Sequence, residues 1–139
     1  FDTKSACSGV GLAAPQINEP WRVFVVGMGY NSRYPDADPL PERTLINPVI
    51  KPIGDELIAG WEGCLSVPGL RGEVERWRRI HLKWQDQKGA FHTEQLQDFH
   101  ARVIQHENDH LDGVLFPDHL TSPLAFGFID ELQAHGRIP

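Results

Sequence analysis

Residues 106–110 read His-Glu-Asn-Asp-His, and this HExxH pattern limits the possible folds more than any other feature of the sequence. Positions i and i+4 of a helix lie on the same face, so a helix would direct both imidazoles to one metal ion. Glu107 would then lie beside the two histidines as a general base. The pattern therefore predicts a helix that carries His106 and His110 as metal ligands.

The residues before and after this pattern predict the ends of the helix. Phe99 and Val103 precede His106 at helical spacing, and further apolar positions indicate a helix that is buried on more than one face. Asp98 is expected to be the N-cap. Gly113 is expected to end the helix as its C′ residue.

The rest of the sequence favours strands and one further helix. Segments with the composition or alternation of strands lie at 21–26, 44–53, 56–61, 70–77, 79–86 and 90–97. Asn47 and Pro48 are expected to break the second strand, and residues 62–69 to form a turn region. Ser122-Pro123 is expected to open a last helix that runs to about residue 135. Since no β-α-β rhythm is present, we predict an α+β fold, with mostly antiparallel β-sheets packed around a central metal-binding helix and a C-terminal helix.

Length and charge exclude several classes of protein. A chain of 139 residues is most simply one domain, which we place at 1–139. The net charge of −6 argues against direct binding of nucleic acid. No apolar run approaches the roughly 20 residues of a membrane span, so no membrane partner is expected. The chain begins at Phe1, without Met and within a helix-like segment, and we therefore expect it to lack its N-terminal segment.

A catalytic site of this type takes three protein ligands, so the two histidines need a third. The metzincin pattern would require a third His where this chain has Phe116. A thermolysin-like metallopeptidase would use Glu131, or the adjacent Asp130, although a solvated helix face is the simpler explanation of both. Cys64 alone could be a buried packing residue. Beside an HExxH helix, a thiolate that completes a Cys-His-His site is the better candidate.

Three segments of the chain together resemble the peptide deformylase family. Residues 9–16 (GVGLAAPQ) look like the family's GxGxAAxQ motif, residues 62–66 are similar to its EGCLS motif, and residues 105–110 (QHENDH) look like its QHExDH motif. Their order and spacing agree with the family over essentially the whole chain. The resemblance implies an enzyme that hydrolyses the N-formyl group from the formyl-Met start of newly made polypeptides and releases formate.

The resemblance also implies a role for each matching residue. Glu107 would act as acid and base, and Gln16 with the backbone N–H of Leu65 would form an oxyanion hole. The implied metal ligands are Cys64, His106 and His110. The implied substrate-binding residues are Val10, Gly11, Arg71, Phe99, Arg102 and Val103, of which the last three would line a pocket for the Met side chain.

Other positions carry expectations from their residue types. Gly11 would allow the substrate backbone to approach closely. Glu62, Asp109 and Arg102 would either orient the metal ligands or form a surface ion pair.

The resemblance further implies one divalent metal ion. Fe²⁺ is expected, with Ni²⁺, Co²⁺ or Zn²⁺ as substitutes, although Cys-His-His ligation by itself would indicate zinc. Formyl-Met nascent peptides near the ribosome exit are the implied partners. The implied location is the bacterial cytoplasm, with organelles left open by the missing N-terminus. Two alternatives stay open, an HExxH metallopeptidase and a catalytically silent, metal-stabilised module that binds formyl-peptides.

Overall fold

The strands of the protein form two antiparallel sheets around one central helix in a computed structural model that describes residues 1–7, 9–30, 34 and 36–139. The α-helices are α1 (Asp2–Ala6), α2 (Asp98–Leu111) and α3 (Ile129–Ala134). Short 3₁₀ helices lie at Ala14–Ile17 and Phe116–His119. The strands are β1 (Gly11–Ala13), β2 (Val23–Met28), β3 (Leu40–Pro52), β4 (Leu57–Cys64), β5 (Val67–Trp77), β6 (Arg79–Gln85), β7 (Phe91–Gln97) and β8 (Phe126–Phe128).

The two sheets lie against the central helix α2. The larger sheet has the strand order β1-β2-β3-β6-β7, and the smaller has the order β4-β5-β8. The strand pairs described in both sheets are antiparallel. Helix α2 packs against β1 and β2 of the larger sheet and β5 of the smaller one. This architecture confirms the predicted α+β class with its central helix.

The hydrophobic core forms between α2 and the larger sheet. Alternate residues of β6 point into it, as the sequence pattern predicted, and both Ile80 and Leu82 are fully buried. Phe24 from β2, Leu45 from β3 and Ile104 from α2 complete the centre of this core. The histidine-bearing helix is therefore fixed by apolar packing, which holds its ligands in place. None of the helices at the described positions combines the length and the apolar composition of a membrane span.

The C-terminal end of α2 was predicted correctly, whereas its N-cap was not. Gly113 has φ +75 and donates its N–H to the carbonyl of His110, while Val114 N–H donates to Asp109. These two bonds form a Schellman motif, which requires a left-handed residue at C′. The predicted N-cap Asp98 is instead the first residue of the helix, and Gln97 is the N-cap. Asp98 has φ +55, and its carboxylate accepts a hydrogen bond from Arg78.

Two predicted interruptions of strands are only local irregularities. Asn47 has φ +50, and the pairing of β3 with β6 shifts register between Ile46 and Val49. Strand β3 nevertheless continues through this bulge, so the predicted break is wrong. The predicted turn at 62–69 is also shorter, because Cys64 pairs with Val67 and the two strands continue on either side.

The last predicted helix begins six residues later than the sequence suggested, with Phe128 as its N-cap in place of Ser122. The N–H of Leu124 donates to Ser122 Oγ, so the Ser-Pro pair closes a turn. Residues 126–128 then form β8, which pairs with residues 70–72 at the edge of β5. Helix α3 starts only at Ile129. The open edge of β5 supplies backbone partners that an isolated sequence pattern does not reveal.

Candidate metal centre

Cys64, His106 and His110 bring three metal-ligating atoms together at the end of β4. Their sulfur and ring nitrogen atoms all lie within 4.8 Å of one another. His110 Nε2 is 3.3 Å from Cys64 Sγ. The two imidazoles come from successive turns of α2, with ring centroids 5.1 Å apart. The i, i+4 spacing thus places both rings on the face that meets the β4–β5 hairpin.

The chemistry of this cluster fits a divalent transition metal. His106 Nδ1 lies 2.8 Å from Glu62 Oε1, which leaves Nε2 of the ring free to bind a cation. Glu107 Oε2 is buried and has no hydrogen-bond partner among the described residues. A thiolate and two imidazoles with an adjacent carboxylate match a catalytic site that retains one open position.

The carboxylates proposed for a metallopeptidase do not join the cluster. Glu131 and Asp130 are exposed on α3, and the ligating group found among the described residues contains Cys64 instead. The structure therefore gives no support to the thermolysin-like alternative.

Glu62 is the centre of a buried ionic cluster behind His106. Its carboxylate accepts hydrogen bonds from Arg76 Nε and Nη2 at 3.1 and 2.9 Å. Arg102 Nη1 donates to the same carboxylate at 2.7 Å. Arg76 also donates to Asp109 at 2.5 Å. The sequence left two possibilities for Glu62, the orientation of a metal ligand or a surface ion pair. Because Glu62 is only 5% exposed, the structure agrees with the first.

The sequence reasoning missed Arg76. This arginine is 5% exposed and lies on β5 at an inward-facing position, two residues after the buried Val74. Strand alternation alone could have found it, since a charged residue on the buried face of a strand requires a partner. Its partners Glu62 and Asp109 come from β4 and α2, so Arg76 joins the two elements that carry the ligands.

Neighbouring charges determine the ionisation of the cluster. Burial opposes ionisation of Glu62, but hydrogen bonds from His106 and Arg76 outweigh it and lower the pKa to about 2. Burial also opposes ionisation of Cys64, and the hydrogen bonds from His106 and His110 lower its pKa to about 5. For His106, burial disfavours the cation, but Cys64 and Glu62 raise the pKa to about 10. Without metal, the site therefore holds a thiolate–imidazolium pair.

Glu107 has the opposite ionisation behaviour. Burial raises its pKa to about 7, and the nearby histidines reduce this effect only in part. A carboxyl group with a pKa near neutrality can both accept and return a proton at physiological pH. Glu107 is therefore suited to acid–base chemistry, whereas Glu62 stays ionised and structural.

Alkylation of the metal-free protein tests the ionisation of Cys64. The thiolate is the reactive form, so the iodoacetamide rate should rise to half its maximum near pH 5, instead of the ordinary thiol value of 9.0. Mass spectrometry of the Cys7→Ser protein across pH 4–9, with Cys64→Ser as the blank, isolates the signal. A midpoint near 9 would show that the two histidines do not stabilise the thiolate.

Gln16 and Leu65 both lie next to Cys64. Gln16 Oε1 accepts the N–H of Ala13 at 2.8 Å, which fixes the amide orientation. Its Nε2 then points to Ser66 Oγ at 3.0 Å and lies 3.7 Å from Cys64 Sγ. The N–H of Leu65, at the hairpin turn, has no acceptor among the described residues. Both donors therefore lie next to the ligand cluster.

Gly11 makes room for Glu107. A Cβ at Gly11 would lie 2.7 Å from Glu107 Oε1, so any side chain there would displace the carboxylate. Gly11 was expected to allow the substrate backbone to approach closely. The structure gives a second reason for a glycine here, because the carboxylate of Glu107 packs directly against it. Val10 is half-buried beside it, and its carbonyl accepts the N–H of Gly27 at 2.9 Å.

The three pocket residues predicted on α2 have different surroundings. Phe99 and Arg102 line a cavity of about 240 Å³, together with Ile58 and Trp77. Val103 is only 8% exposed and packs in the hydrophobic core. The structure therefore brings two of the three residues to an open cavity.

Arg71 of β5 lies against Gly63 of β4 in the β4–β5 hairpin. Its guanidinium covers Gly63 so closely that a Cβ there would collide with Nη1. Nη1 also donates to the carbonyl of Leu70 at 3.1 Å. Arg71 of β5 therefore covers the residue of β4 that directly precedes Cys64.

Sequence comparisons identify relatives along nearly the whole chain. The sequence model of the polypeptide deformylase family matches residues 1–125. Peptide deformylase 1 of Prochlorococcus marinus is 56% identical over 138 residues, covering 99% of this chain and 72% of the relative. Peptide deformylase 2 of Ralstonia nicotianae is 49% identical over 139 residues, covering 97% and 78% of the two chains.

Solved structures of the same kind share the fold. A class I type b peptide deformylase from Acinetobacter baumannii, bound to Met-Ala-Ser, has a TM-score of 0.82 and 41% identity, over 86% of this chain and 75% of that chain. A peptide deformylase from Synechococcus elongatus, in complex with actinonin, has a TM-score of 0.77 and 35% identity. That match covers 96% of this chain and 67% of the Synechococcus chain.

Proposed function

The chain belongs to the peptide deformylase family, whose members remove the N-formyl group from nascent peptides, and from this premise we propose the roles of its individual residues. The sequence-based family assignment is thereby confirmed. The observation that carries the proposed roles is the Cys64, His106 and His110 cluster, beside which Glu107 Oε2 has no hydrogen-bond partner in the part of the chain that the structure describes.

The metal site is the first part of the proposal. Cys64, His106 and His110 would hold one divalent ion, which we propose to be Fe²⁺. When bound, such an ion acidifies water and polarises a carbonyl group. Glu62 supports this role of His106 because its carboxylate, held by two arginines, fixes the ring orientation.

Glu107 is proposed as the group that moves the proton. It would take a proton from the attacking water molecule and deliver it to the amine that leaves as the formamide bond breaks. Its position against Gly11 and its pKa of about 7 support both steps. The products are formate and a peptide with a free amino terminus.

Gln16 and Leu65 are proposed as the oxyanion hole. Negative charge develops on the formyl oxygen during attack, and hydrogen-bond donors fixed in advance stabilise it. The amide of Gln16 is fixed by Ala13, and the Leu65 N–H has no described partner in the protein. Their positions beside Cys64 support this role.

The substrate is proposed to lie between the free edges of β1 and β4. Each is an edge strand of its sheet, and an extended peptide can bond to such an edge. Val10 and Gly11 would bind the peptide backbone on one side, with Arg71 on the other. The first side chain would enter the cavity beside Phe99 and Arg102, with Val103 as packing behind it.

Domain organisation, location and surroundings complete the proposal. Residues 1–139 would act as one catalytic domain, since α2 packs against both sheets. We propose the bacterial cytoplasm as its location, because the sequence relatives named above are bacterial. Nascent formyl-Met chains near the ribosome exit would be its substrates, and the peptide Met-Ala-Ser bound to the Acinetobacter enzyme supports this choice.

Formate release from formyl-Met-Ala-Ser tests the proposed function. Protein loaded anaerobically with Ni²⁺ or Fe²⁺ should release formate in proportion to its metal content. Acetyl-Met-Ala-Ser, which carries a methyl group in place of the formyl hydrogen, is the matched control. Folded, metal-loaded protein that binds the formyl peptide without releasing formate would instead indicate the silent binding module.

Substitution of Gln16 tests the oxyanion hole. Gln16→Ala should lower kcat by about 10²–10³-fold, because one fixed donor to the developing charge is lost. Its metal content should not change, since the amide lies beside the cluster and supplies no ligand atom. Steady-state kinetics with metal analysis checks both values. Loss of metal together with activity would mean that Gln16 is a structural residue.

A further inference from the structure

Lys4 of helix α1 is buried, although a lysine ordinarily keeps its amine in water. It is only 5% exposed, and burial of a charged group costs free energy unless acceptors replace the lost water. Nζ donates to the carbonyl of Gly27 at 3.1 Å and lies 3.5 Å from the carbonyl of Gly9. The amine therefore joins two separate segments of the backbone.

Gly27 lies at an irregularity of β2, which explains the need for a side-chain donor. The pairing of β2 with β3 shifts register between Val26 and Met28. A residue at such a bulge loses regular ladder bonds, so its carbonyl has to find another partner. The N–H of Gly27 donates to the carbonyl of Val10 at 2.9 Å. Through Gly27, the amine of Lys4 is therefore connected to the backbone of Val10.

Lys4 also holds Gly9, the residue that precedes Val10. The N–H of Gly9 donates to the carbonyl of Lys4 at 2.9 Å. A Cβ at Gly9 would lie 3.2 Å from Cδ1 of Leu65, so this backbone packs directly against the residue that follows β4. The contacts of one lysine therefore fix where the start of β1 lies relative to the end of β4.

We propose that Lys4 is a positioning residue, whose amine fixes residues 9–11 at the distance from β4 that an extended peptide requires. This inference rests on the proposed function, in which Val10 and Gly11 of this segment bind the substrate backbone. Without the amine, the two carbonyls would lose their common donor, and the segment would be free to shift relative to β4. Lys4 lies outside the ligand cluster, so its loss should weaken peptide binding and leave the proton transfer by Glu107 intact.

Lys4→Met tests this proposal, because methionine keeps an unbranched apolar stem and removes the donor. With metal-loaded protein, KM for formyl-Met-Ala-Ser should rise by about 3–10-fold, as expected for the loss of one backbone hydrogen bond to the peptide, while kcat per bound metal ion stays within about twofold. The inhibition constant of the product Met-Ala-Ser should rise by the same factor, since it reports binding without chemistry. A lysine with only a structural role would lower the melting temperature and the folded fraction, and KM does not depend on the folded fraction.

Two further variants separate positioning from folding. Lys51→Met makes the same chemical change at an exposed lysine of β3, and its KM should equal that of the native protein. Lys4→Gln has a stem one bond shorter, which holds its amide away from the two carbonyls. This variant should raise KM in the same direction, and it replaces the methionine variant if that protein does not fold.

A rise of KM and of the product's inhibition constant by a common factor supports the inference. An unchanged KM with losses only in kcat, metal content or melting temperature would overturn it and leave Lys4 a structural residue. Failure of both Lys4 variants to fold would overturn it in the same way. A native protein that releases no formate contradicts the proposed function instead. Weaker calorimetric binding of Met-Ala-Ser to the Lys4→Met protein than to the native protein would then still support the inference.

Discussion

The Glu107→Gln protein is expected to bind its metal ion normally and to lose at least about 10³-fold in kcat. Glutamine has nearly the same shape as glutamate, so the close contact with Gly11 is kept. It cannot accept the proton of the attacking water or return it to the leaving amine. Formate release and metal content, measured on the same preparation, check the two parts of this prediction.

Stability provides a second measurement on the same variant. Burial raises the pKa of Glu107 from 4.5 to about 7, so the native state binds more protons than the unfolded chain between these pH values. The wild-type carboxylate therefore costs roughly 3 kcal/mol of unfolding free energy above pH 7. Metal-free Glu107→Gln protein should melt at a higher temperature than wild type at pH 8, and the difference should vanish near pH 4.5.

Glu131→Gln is the matched control for both measurements. Glu131 is exposed on α3 and lies outside the ligand cluster, so this variant should keep full activity and the wild-type melting profile. Activity of the Glu107→Gln protein within about 10-fold of wild type would assign the proton transfer to another group.

The sequence predicted the parts of the site that local geometry determines. The spacing of His106 and His110 requires a helix for a shared metal ion, and α2 has that form. Gly113 ends the helix because only a residue that tolerates positive φ suits a Schellman motif. Residue chemistry alone favours Cys64 as the third ligand, since a thiolate completes a Cys-His-His site beside an HExxH helix. The family motifs imply the same residue.

Contacts between distant segments could not be predicted in the same way. Arg76 lies fourteen residues after Glu62, and their contact depends on the register of the β4–β5 hairpin. The need for Gly11 beside Glu107 arises only when β1 packs on α2. Similarly, β8 forms because the edge of β5 is available, which turns a predicted helix start into a strand. In each case tertiary packing overrides what a local pattern indicates.

Replacement of Cys64 by serine is expected to remove the metal ion. A serine hydroxyl stays protonated at neutral pH, so the site loses its one thiolate and keeps only two imidazoles. Affinity should fall by more than about 100-fold, beyond what changes in residues behind the ligands produce. Elemental analysis after dialysis should then find about one metal ion per wild-type chain and almost none in the variant.

Cys7→Ser is the natural control, because it makes the same chemical change at the other cysteine of the chain. Cys7 is exposed and lies outside the ligand cluster, so this protein should retain both metal and activity. Retention of one metal ion per chain by the Cys64→Ser protein would contradict the proposed ligand set. The two histidines would then require a different third ligand. Glu62 would orient His106 toward a metal ion that this other ligand helps to hold.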